Sequence, residues 1–299
     1  MRFAIVGCGN VGMELARRWT KAGHTVIGTT TSPSRVDEVA AACAEVAVLR
    51  GSDRDALARA VEGADAVVLT VSPRIGRAFD AAARVTEYAD TLTATAQTAV
   101  AVHPRVVFTS SISVYGAGAT DPVDETTPLT GDPDASPRNF IAAEQAVLRT
   151  PGGAVLRIPD VYGHPRDIDY PSRVKLAHDV LGGSVPFDGD ALLYRIDYRD
   201  AAAALDFVVG RGLTGAYNAV PDASVPATNR EFFAAIAAGT GLPELAAGAD
   251  QLGEAARRGV RVRLSDRVGA RRRRVGRQAE QVGETGDAQL AVHELARVA

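Results

Sequence analysis

The chain has 299 residues and a formal net charge of −3 at pH 7, with 46% hydrophobic and 23% charged residues. This composition is that of an ordinary globular protein, and it excludes a fibre or a disordered tail. The two cysteines, Cys8 and Cys43, are too few for a disulfide framework. No apolar run reaches the ~20 residues that a bilayer requires. We therefore expect a cytoplasmic protein that neither spans a membrane nor holds a metal.

Strand and helix patterns alternate along the first 160 residues. Strands are predicted over Phe3–Val6, His24–Thr29, Val46–Leu49, Ala66–Val71, Val106–Thr109 and Ala154–Ile158. Helices are predicted over Val11–Ala22, Val36–Ala44, Asp55–Val61, Phe79–Val102 and Phe140–Arg149. Because strands separated by helices pair in parallel through right-handed crossovers, the order predicts an α/β fold with a doubly wound parallel Rossmann sheet.

A glycine-rich turn follows the first strand and opens the first helix. Its glycines, Gly7, Gly9 and Gly12, have the Gly-x-Gly-x-x-Gly spacing. In this context the main-chain N–H groups of such a turn can approach a pyrophosphate at the start of the helix. We predict cofactor contacts at Gly7, Gly9, Asn10, Val11 and Gly12.

The end of the second strand indicates which dinucleotide would bind. Residues 28–35 carry no carboxylate that would repel a 2′-phosphate, and their hydroxyls and one guanidinium could donate to it. NADP is therefore expected, with NAD as the alternative, and the predicted contacts are Thr29, Thr30, Thr31 and Arg35. Arg35 could instead head a solvated helix. Asp53 is a candidate partner for the adenine amino group, or else an ordinary helix cap.

Several further motifs occur in a characteristic order. They are Ser110–Gly116, Asp124–Pro128, Ala143–Glu144, Arg157–Gly163 and Arg195–Ala202. With the glycine turn, they resemble the extended short-chain dehydrogenase/reductases, the NAD-dependent epimerase/dehydratase family, over about residues 1–245. The resemblance implies that Ser111 is the catalytic serine at the strand end and that Ser113 is a secondary polar contact for the substrate. It also places cofactor contacts at Val71, Ser72 and Ser110.

The acid of this family is absent from the chain. That family uses a tyrosine whose pKa is lowered by a lysine four residues later. The motif around Glu144 places these two residues at Ser136 and Phe140, and no Tyr-x-x-x-Lys occurs anywhere in the sequence. Neither side chain present can replace the pair, so the sequence predicts an atypical active site.

Substitute acids are predicted beyond the sixth strand, at Tyr162 and His164, although a lone histidine in a loop is more often a surface residue. Further polar residues are candidate substrate contacts. They are Arg138, Asn139, Arg166, Tyr170 and Arg173. The first two could instead cap a helix, and the charges after residue 163 could instead form solvated ion pairs.

We predict a dinucleotide-binding domain over residues 1–162 and a smaller interleaved C-terminal substrate lobe over 163–245. Within the lobe we expect helices over Val174–Leu181, Asp200–Val209 and Thr228–Ala238, and strands over Leu192–Ile196 and Ala216–Val220. Asp200 is the expected cap of its helix, and Thr228 with Glu231 that of the last.

Residues 246–299 differ in composition from the rest of the chain. They contain no aromatic residue and no lysine, but they include the run Arg271–Arg274. Acidic residues dilute this basic run and no stacking aromatics accompany it, so we expect no nucleic-acid partner. The segment is either a solvated helix or disordered tail, or the product of a shifted reading frame.

Two classes of function follow. The first is NADPH-dependent reduction of a small carbonyl or imine metabolite, and the second is a sensor or regulatory protein that binds NADP(H) without turnover. A nucleotide-sugar epimerase is less favoured because it relies most on the missing tyrosine. The resemblance also implies a homodimer formed through the helices at 79–102 and 140–149.

Overall fold

The computed structural model describes residues 1–74, 81–116, 123–185, 189–220 and 227–247. Its strands are β1 (Arg2–Val6), β2 (Thr25–Thr30), β3 (Glu45–Val48), β4 (Ala66–Leu69), β5 (Val106–Ser111), β6 (Ala154–Ile158), β7 (Asp160–Tyr162), β8 (Ser184–Val185), β9 (Leu192–Leu193), β10 (Arg195–Asp197), β11 (Gly215–Asn218), β12 (Ala227–Thr228) and β13 (Ala246–Ala247). Its α-helices are α1 (Asn10–Lys21), α2 (Val36–Ala40), α3 (Arg54–Ala60), α4 (Ala81–Tyr88), α5 (Thr95–Val102), α6 (Ala135–Leu148), α7 (Tyr170–Leu181), α8 (Tyr198–Gly210) and α9 (Asn229–Thr240).

Seven strands form one parallel sheet in the order β3-β2-β1-β4-β5-β6-β11. Successive residues of β5 point to opposite faces of this sheet, because side chains alternate along a strand. Val107 joins the core formed with α1 and α8, whereas the ring of Phe108 lies 6.2 Å from that of Phe140 on α6. Helices therefore cover both faces, which explains why strands such as β4 are wholly apolar. The predicted doubly wound Rossmann class is confirmed.

Several predicted element boundaries differ from the structure. Helix α6 begins at Ala135, five residues before the expected start at Phe140, because Asp134 caps it by accepting a hydrogen bond from the Ser136 N–H at 2.9 Å. The expected cap of α8, Asp200, lies inside the helix, and Asp197 caps it instead. The predicted helix at 79–102 contains a π-helical segment over Ala89–Ala94 between α4 and α5. The capping box of Thr228 and Glu231 on α9 is confirmed.

A buried ion pair joins α6 to strand β6 of the sheet. The Arg157 side chain on β6 and the Glu144 side chain on α6 are only 4% and 1% exposed, and the closest N–O distance between them is 2.8 Å. The Ser110 hydroxyl on β5 donates to the same carboxylate at 2.6 Å, and Arg157 also donates to the Tyr115 hydroxyl at 2.8 Å. That hydroxyl in turn donates to the Asn218 side chain at 2.8 Å. The carboxylate and guanidinium are therefore paired although water is excluded.

The described residues form two compact units. The first contains residues 1–74, 81–116, 123–164 and 195–220, and the second contains 165–185, 189–194 and 227–247. Within the second unit, α7 and α9 share a core that includes Val174 and Phe233, and the Tyr170 ring meets that of Phe232 edge-on at 4.9 Å.

The arginine run lies outside the described residues. No helix within the described ranges has both the length and the apolar character needed to cross a bilayer.

We expect Glu144→Gln to lower the free energy of unfolding by about 3–5 kcal/mol, because Arg157 would keep its buried charge without a carboxylate. Urea unfolding followed by circular dichroism measures this. The control is Asp179→Asn, which breaks the exposed pair with Lys175 and should change stability by at most about 0.5 kcal/mol. The double variant Glu144→Leu, Arg157→Met should recover most of the loss. A loss below about 1 kcal/mol for Glu144→Gln would contradict a central role of this pair.

Candidate functional site

The glycine turn between β1 and α1 is held by both neighbouring strands. Gly7 has a φ of +93°, which favours glycine, and its N–H donates to the Thr29 hydroxyl at 3.0 Å. The Thr70 hydroxyl donates to the Gly7 carbonyl at 2.7 Å, and the Cys8 N–H donates to the Thr29 carbonyl at 2.8 Å. The turn is thus fixed at the carboxyl ends of β1, β2 and β4, the edge at which ligands bind in such sheets.

The start of α1 has the form expected of a phosphate cradle. Gly9 is its N-cap residue, and no side chain caps this helix end. A Cβ built on Gly9 would meet nothing closer than the Gly7 carbonyl oxygen at 3.9 Å, so the space above the turn is open. A Cβ on Gly12 would instead lie 2.6 Å from the Thr70 hydroxyl and 2.8 Å from the Gly7 carbonyl oxygen. Gly9 therefore leaves room for a ligand, whereas Gly12 permits close packing of the helix.

The polar residues at the end of β2 divide into internal and outward-facing groups. The buried Thr29 and Thr30 hydroxyls accept hydrogen bonds from the N–H groups of Gly7 and Ser32. Each hydroxyl accepts in this contact and still has its own proton, so donation to a ligand stays a prediction for both residues. Thr31 is exposed, and its hydroxyl accepts a hydrogen bond from the Arg74 guanidinium.

Arg35 brings a second guanidinium to this edge of the sheet. It donates to the Cys8 carbonyl at 2.8 Å and pairs with Glu38 at 3.0 Å, and its side chain is 24% exposed. It therefore lies beside the glycine turn rather than pointing into solvent from a helix. Asp53 caps α3 by accepting a hydrogen bond from the Ala56 N–H at 3.1 Å, which favours the cap over the adenine contact. Residues Val71 and Ser72 follow β4, and Val71 packs directly against Gly7.

The hydroxyls at the end of β5 differ in their use. Ser110 is buried and its hydroxyl is committed to Glu144, so the predicted cofactor contact cannot use that hydroxyl. Ser111 accepts a hydrogen bond from the Ser113 N–H at 3.1 Å, which fixes the turn over Ile112–Tyr115. The buried Ser113 hydroxyl has no hydrogen-bond partner among the described residues. Buried hydroxyls are normally paired with protein, water or a ligand, and the Thr109 hydroxyl on β5 is unpaired in the same way.

A polar cluster occupies the place of the missing tyrosine and lysine. The Ser136 side chain lies beside the Tyr88 hydroxyl, and the Arg84 guanidinium lies 5.1 Å from the Tyr88 ring centroid. Arg84 also makes a bidentate pair with Asp134, the cap of α6, at 2.7 and 3.0 Å. Those hydrogen bonds hold the pKa of the Asp134 carboxyl below its usual range.

Tyr88 is a neutral phenol in this cluster. Burial raises the pKa of Tyr88, and the nearby Ser136 side chain and the charge of Arg84 oppose that shift without cancelling it. The sequence analysis missed Tyr88 and Arg84, because they lie in a helical stretch without a motif and far from residue 136 along the chain.

The predicted substitute acids lie at the junction of β7 and β10. The Arg195 guanidinium lies 5.3 Å from the Tyr162 ring centroid. The His164 ring meets the Tyr198 ring edge-on at 4.9 Å, and His164 is only 9% exposed. His164 is therefore buried, unlike the more common surface histidine.

Of the remaining predicted substrate contacts, Arg138 is exposed on α6. Asn139 is buried, and its side-chain oxygen accepts a hydrogen bond from the Thr93 hydroxyl at 2.8 Å, so that group serves helix packing and is not a cap. Arg166, Tyr170 and Arg173 belong to the second unit. There the Arg173 guanidinium lies 5.0 Å from the Tyr170 ring centroid and donates to the Ile168 carbonyl at 3.0 Å. These three residues stay predicted contacts.

No group of three or more His, Cys, Asp or Glu gathers for a metal in the described part of the chain.

The fold and the turn define an α/β protein of the dinucleotide-binding Rossmann class. The sequence matches the NAD dependent epimerase/dehydratase family over residues 4–219. The chain therefore belongs to this family. None of the curated proteins matches the sequence significantly.

Several solved structures are similar to this chain along almost its whole length. One is UDP-glucose 4-epimerase from Thermotoga maritima with UDP-glucose, at 16% identity and a TM-score of 0.67, covering 99% of each chain. Another is WbmG from Bordetella bronchiseptica with NAD and UDP, at 21% identity and a TM-score of 0.65, covering 100% of this chain and 96% of the other. A putative epimerase from Burkholderia cenocepacia has 20% identity and a TM-score of 0.64, covering 99% and 98%. At these identities the likeness supports the fold alone.

The two glycines give a direct test of the cradle. We expect Gly9→Ala to weaken NADH and NADPH binding at least about tenfold, because the added methyl group would occupy the open space above the turn. Its unfolding free energy should change by at most about 1 kcal/mol. Gly12→Ala should destabilise the protein by roughly 1–3 kcal/mol, because its methyl group would collide with Thr70 and Gly7.

Fluorescence titration and urea unfolding measure the two effects. Gly239→Ala on α9 is the control, since a Cβ there would meet nothing within 4 Å. If Gly9→Ala kept full affinity for both dinucleotides, the cradle would lie elsewhere.

Proposed function

We propose that the protein is an NADPH-dependent oxidoreductase that reduces a small carbonyl or imine metabolite. The supporting observation is the uncapped start of α1 on the same sheet edge as the unpaired hydroxyl of Ser113. β1 and β5 both pair with β4, so their carboxyl ends lie two strand positions apart on one edge. A dinucleotide with its pyrophosphate at α1 would extend along this edge toward β5.

The choice of NADPH rests on two guanidiniums. Both lie near the end of β2. The Arg35 guanidinium donates to the Cys8 carbonyl, and the Arg74 guanidinium donates to the Thr31 hydroxyl. Two carboxylates lie beside them: Glu38 is paired with Arg35, and Glu87 accepts a hydrogen bond from the Arg74 main-chain N–H at 2.7 Å. A 2′-phosphate would find two cations and an exposed hydroxyl there, which favours NADP over NAD.

The serines at the end of β5 would bind the substrate oxygen or nitrogen. The Ser111 hydroxyl, held by the Ser113 N–H, still has its own proton to donate. We assign to it the polarisation of the carbonyl or imine, and to Ser113 a second hydrogen bond. The chemistry that nicotinamide supplies when bound is reversible two-electron transfer to the polarised carbon.

We assign the proton to the pair of Ser136 and Tyr88. In this pair a serine hydroxyl stands where the family has its tyrosine, and a phenol stands behind it beside a fixed cation. Because the Tyr88 pKa is raised, the phenol keeps its proton at neutral pH and has one to give during reduction, but it is a weaker acid than the family's tyrosine, whose pKa is lowered. It is poorly suited to act as a base, and this weighs against an epimerase, which needs the same group in both roles.

The alternative from another class is a regulatory protein that binds NADP(H) without turnover. The loss of the tyrosine and lysine at positions 136 and 140 favours it. Binding measurements alone do not separate the two, whereas turnover with a panel of substrates does.

We expect Arg35→Gln and Arg74→Gln each to weaken NADPH binding about tenfold while changing NADH binding at most about twofold, because only NADPH carries the 2′-phosphate. Fluorescence titration of both reduced dinucleotides measures this. Arg59→Gln on the exposed surface of α3 is the matched control and should change neither affinity. Equal losses for NADH and NADPH would argue that these arginines do not recognise a 2′-phosphate.

The function is tested by NADPH oxidation with a panel of carbonyls and imines. Ser111→Ala, Ser136→Ala and Tyr88→Phe should each lower kcat about 100-fold and leave the Kd for NADPH within about twofold. Tyr217→Phe is the control, because the Tyr217 hydroxyl donates only to the Thr214 carbonyl at 2.8 Å in the described structure.

Two results would redirect the proposal. Saturable NADPH binding with no oxidation by any substrate, and no effect of Ser111→Ala, would favour the regulatory protein. If Tyr162→Phe or His164→Asn abolished turnover while Tyr88→Phe did not, the proton would come from the junction of β7 and β10.

A further inference from the structure

Two buried thiols meet directly beneath the glycine turn. Cys8 lies between Gly7 and Gly9, and Cys43 lies between α2 and β3. Their sulfurs lie within 2.8 Å of the position that a Cβ on Gly28 would take, Cys43 at 2.6 Å and Cys8 at 2.8 Å. The Cys8 thiol also donates to the Ile5 carbonyl at 3.9 Å. Glycine at position 28 thus leaves the space in which the sulfurs approach one another.

The main chain holds each cysteine in place from a different side. The Cys8 N–H donates to the Thr29 carbonyl and its own carbonyl accepts from Arg35, both at 2.8 Å. The Cys43 N–H donates to the Val39 carbonyl at 3.0 Å. A disulfide, with its ~2.05 Å S–S bond, would therefore tie the glycine turn directly to the segment after α2.

The two thiols are chemically unequal. Cys43 is 6% exposed and Cys8 only 1%, so a small oxidant reaches Cys43 more readily. The approach of the Cys8 thiol lowers the pKa of Cys43, while the same contact and burial raise the pKa of Cys8. Cys43 is therefore the thiol with more thiolate character, which makes it the reactive member of the pair.

We propose that Cys8 and Cys43 form a reversible disulfide under hydrogen peroxide and that this bond weakens dinucleotide binding at the glycine turn. The proposal rests on the dinucleotide-binding function proposed above. Because Gly7 and Gly9 flank Cys8, movement of its main chain displaces the turn and strains the contact between the Cys8 carbonyl and Arg35. Thioredoxin or another dithiol would reduce the bond and restore binding.

The chemistry balances in two steps. The Cys43 thiolate attacks one peroxide oxygen, the O–O bond breaks, and the product is a sulfenic acid and hydroxide, which becomes water on protonation. The Cys8 sulfur then attacks the sulfenic sulfur and loses its proton, the S–O bond breaks, and a second water leaves. Overall the two thiols lose two electrons and two hydrogens, and one peroxide is reduced to two waters.

The experiment treats the full-length protein with hydrogen peroxide and follows two readouts. Intact-mass spectrometry and peptide mapping should show loss of two hydrogens and a peptide linked through Cys8 and Cys43. NADPH affinity, measured by fluorescence, should fall at least about tenfold and recover with dithiothreitol. Saturating NADPH should shift the thiol–disulfide equilibrium toward the two thiols, because coupling between two equilibria is reciprocal.

Cys43→Ser and Cys43→Ala are the controls, since this residue lies outside the turn and their untreated affinity should match that of the wild type. Both should keep full NADPH affinity after peroxide, and a loss in them would overturn the disulfide as the cause. Failure of the disulfide to form in the folded protein would also overturn the proposal. A disulfide that leaves the affinity unchanged would overturn the switch alone, whereas no binding by the reduced protein would overturn the proposed function itself.

Discussion

The buried pair of Glu144 and Arg157 is the constraint on which the region around the candidate site depends. Taking both charges out of water is tolerable only because each has several hydrogen-bond partners, and those partners come from different elements. The carboxylate therefore fixes α6 against β5 through Ser110, while the guanidinium fixes the turn after β5 through Tyr115. Since Tyr115 also bonds Asn218, the edge strand β11 joins the same network. The positions of Ser111 and Ser136 follow from this arrangement, although neither belongs to it.

The residues of this network stabilise the fold, and they differ from the residues that would carry out the chemistry of the site. The residues that hold α6 in place are present, whereas the sequence pattern predicts Ser136 and Phe140 at the positions of the family's tyrosine and lysine. The phenylalanine ring lies 6.2 Å from that of Phe108, so an apolar contact lies at the position predicted for the lysine. Helix α4 supplies a cation and a phenol to the same region through Arg84 and Tyr88. The candidate acid of the proposed function therefore comes from a different helix.

Sequence patterns predicted the sheet well because each strand is buried on both faces and interrupted by a helix of sufficient length. They were less successful at helix ends. Which acid caps a helix depends on which main-chain N–H its carboxylate can reach. For this reason the sequence patterns missed Asp197, which caps α8 in place of Asp200, and Asp134, which caps α6. The threonines after β2 show the same limit. Their composition indicated a polar ligand site, but Thr29 and Thr30 are turned inward to satisfy the glycine turn and the following loop.

The sequence by itself determined the Rossmann class, the glycine turn, the strand-end serines and the absence of the Tyr-x-x-x-Lys pair, because these depend on local periodicity and spacing. Only the tertiary structure decided which residues meet across the chain. The contact of Ser136 with Tyr88 joins residues 48 positions apart, and the approach of Cys8 and Cys43 joins residues 35 positions apart. Such juxtapositions are set by the packing of helices on the sheet, and no pattern of neighbouring residues encodes them.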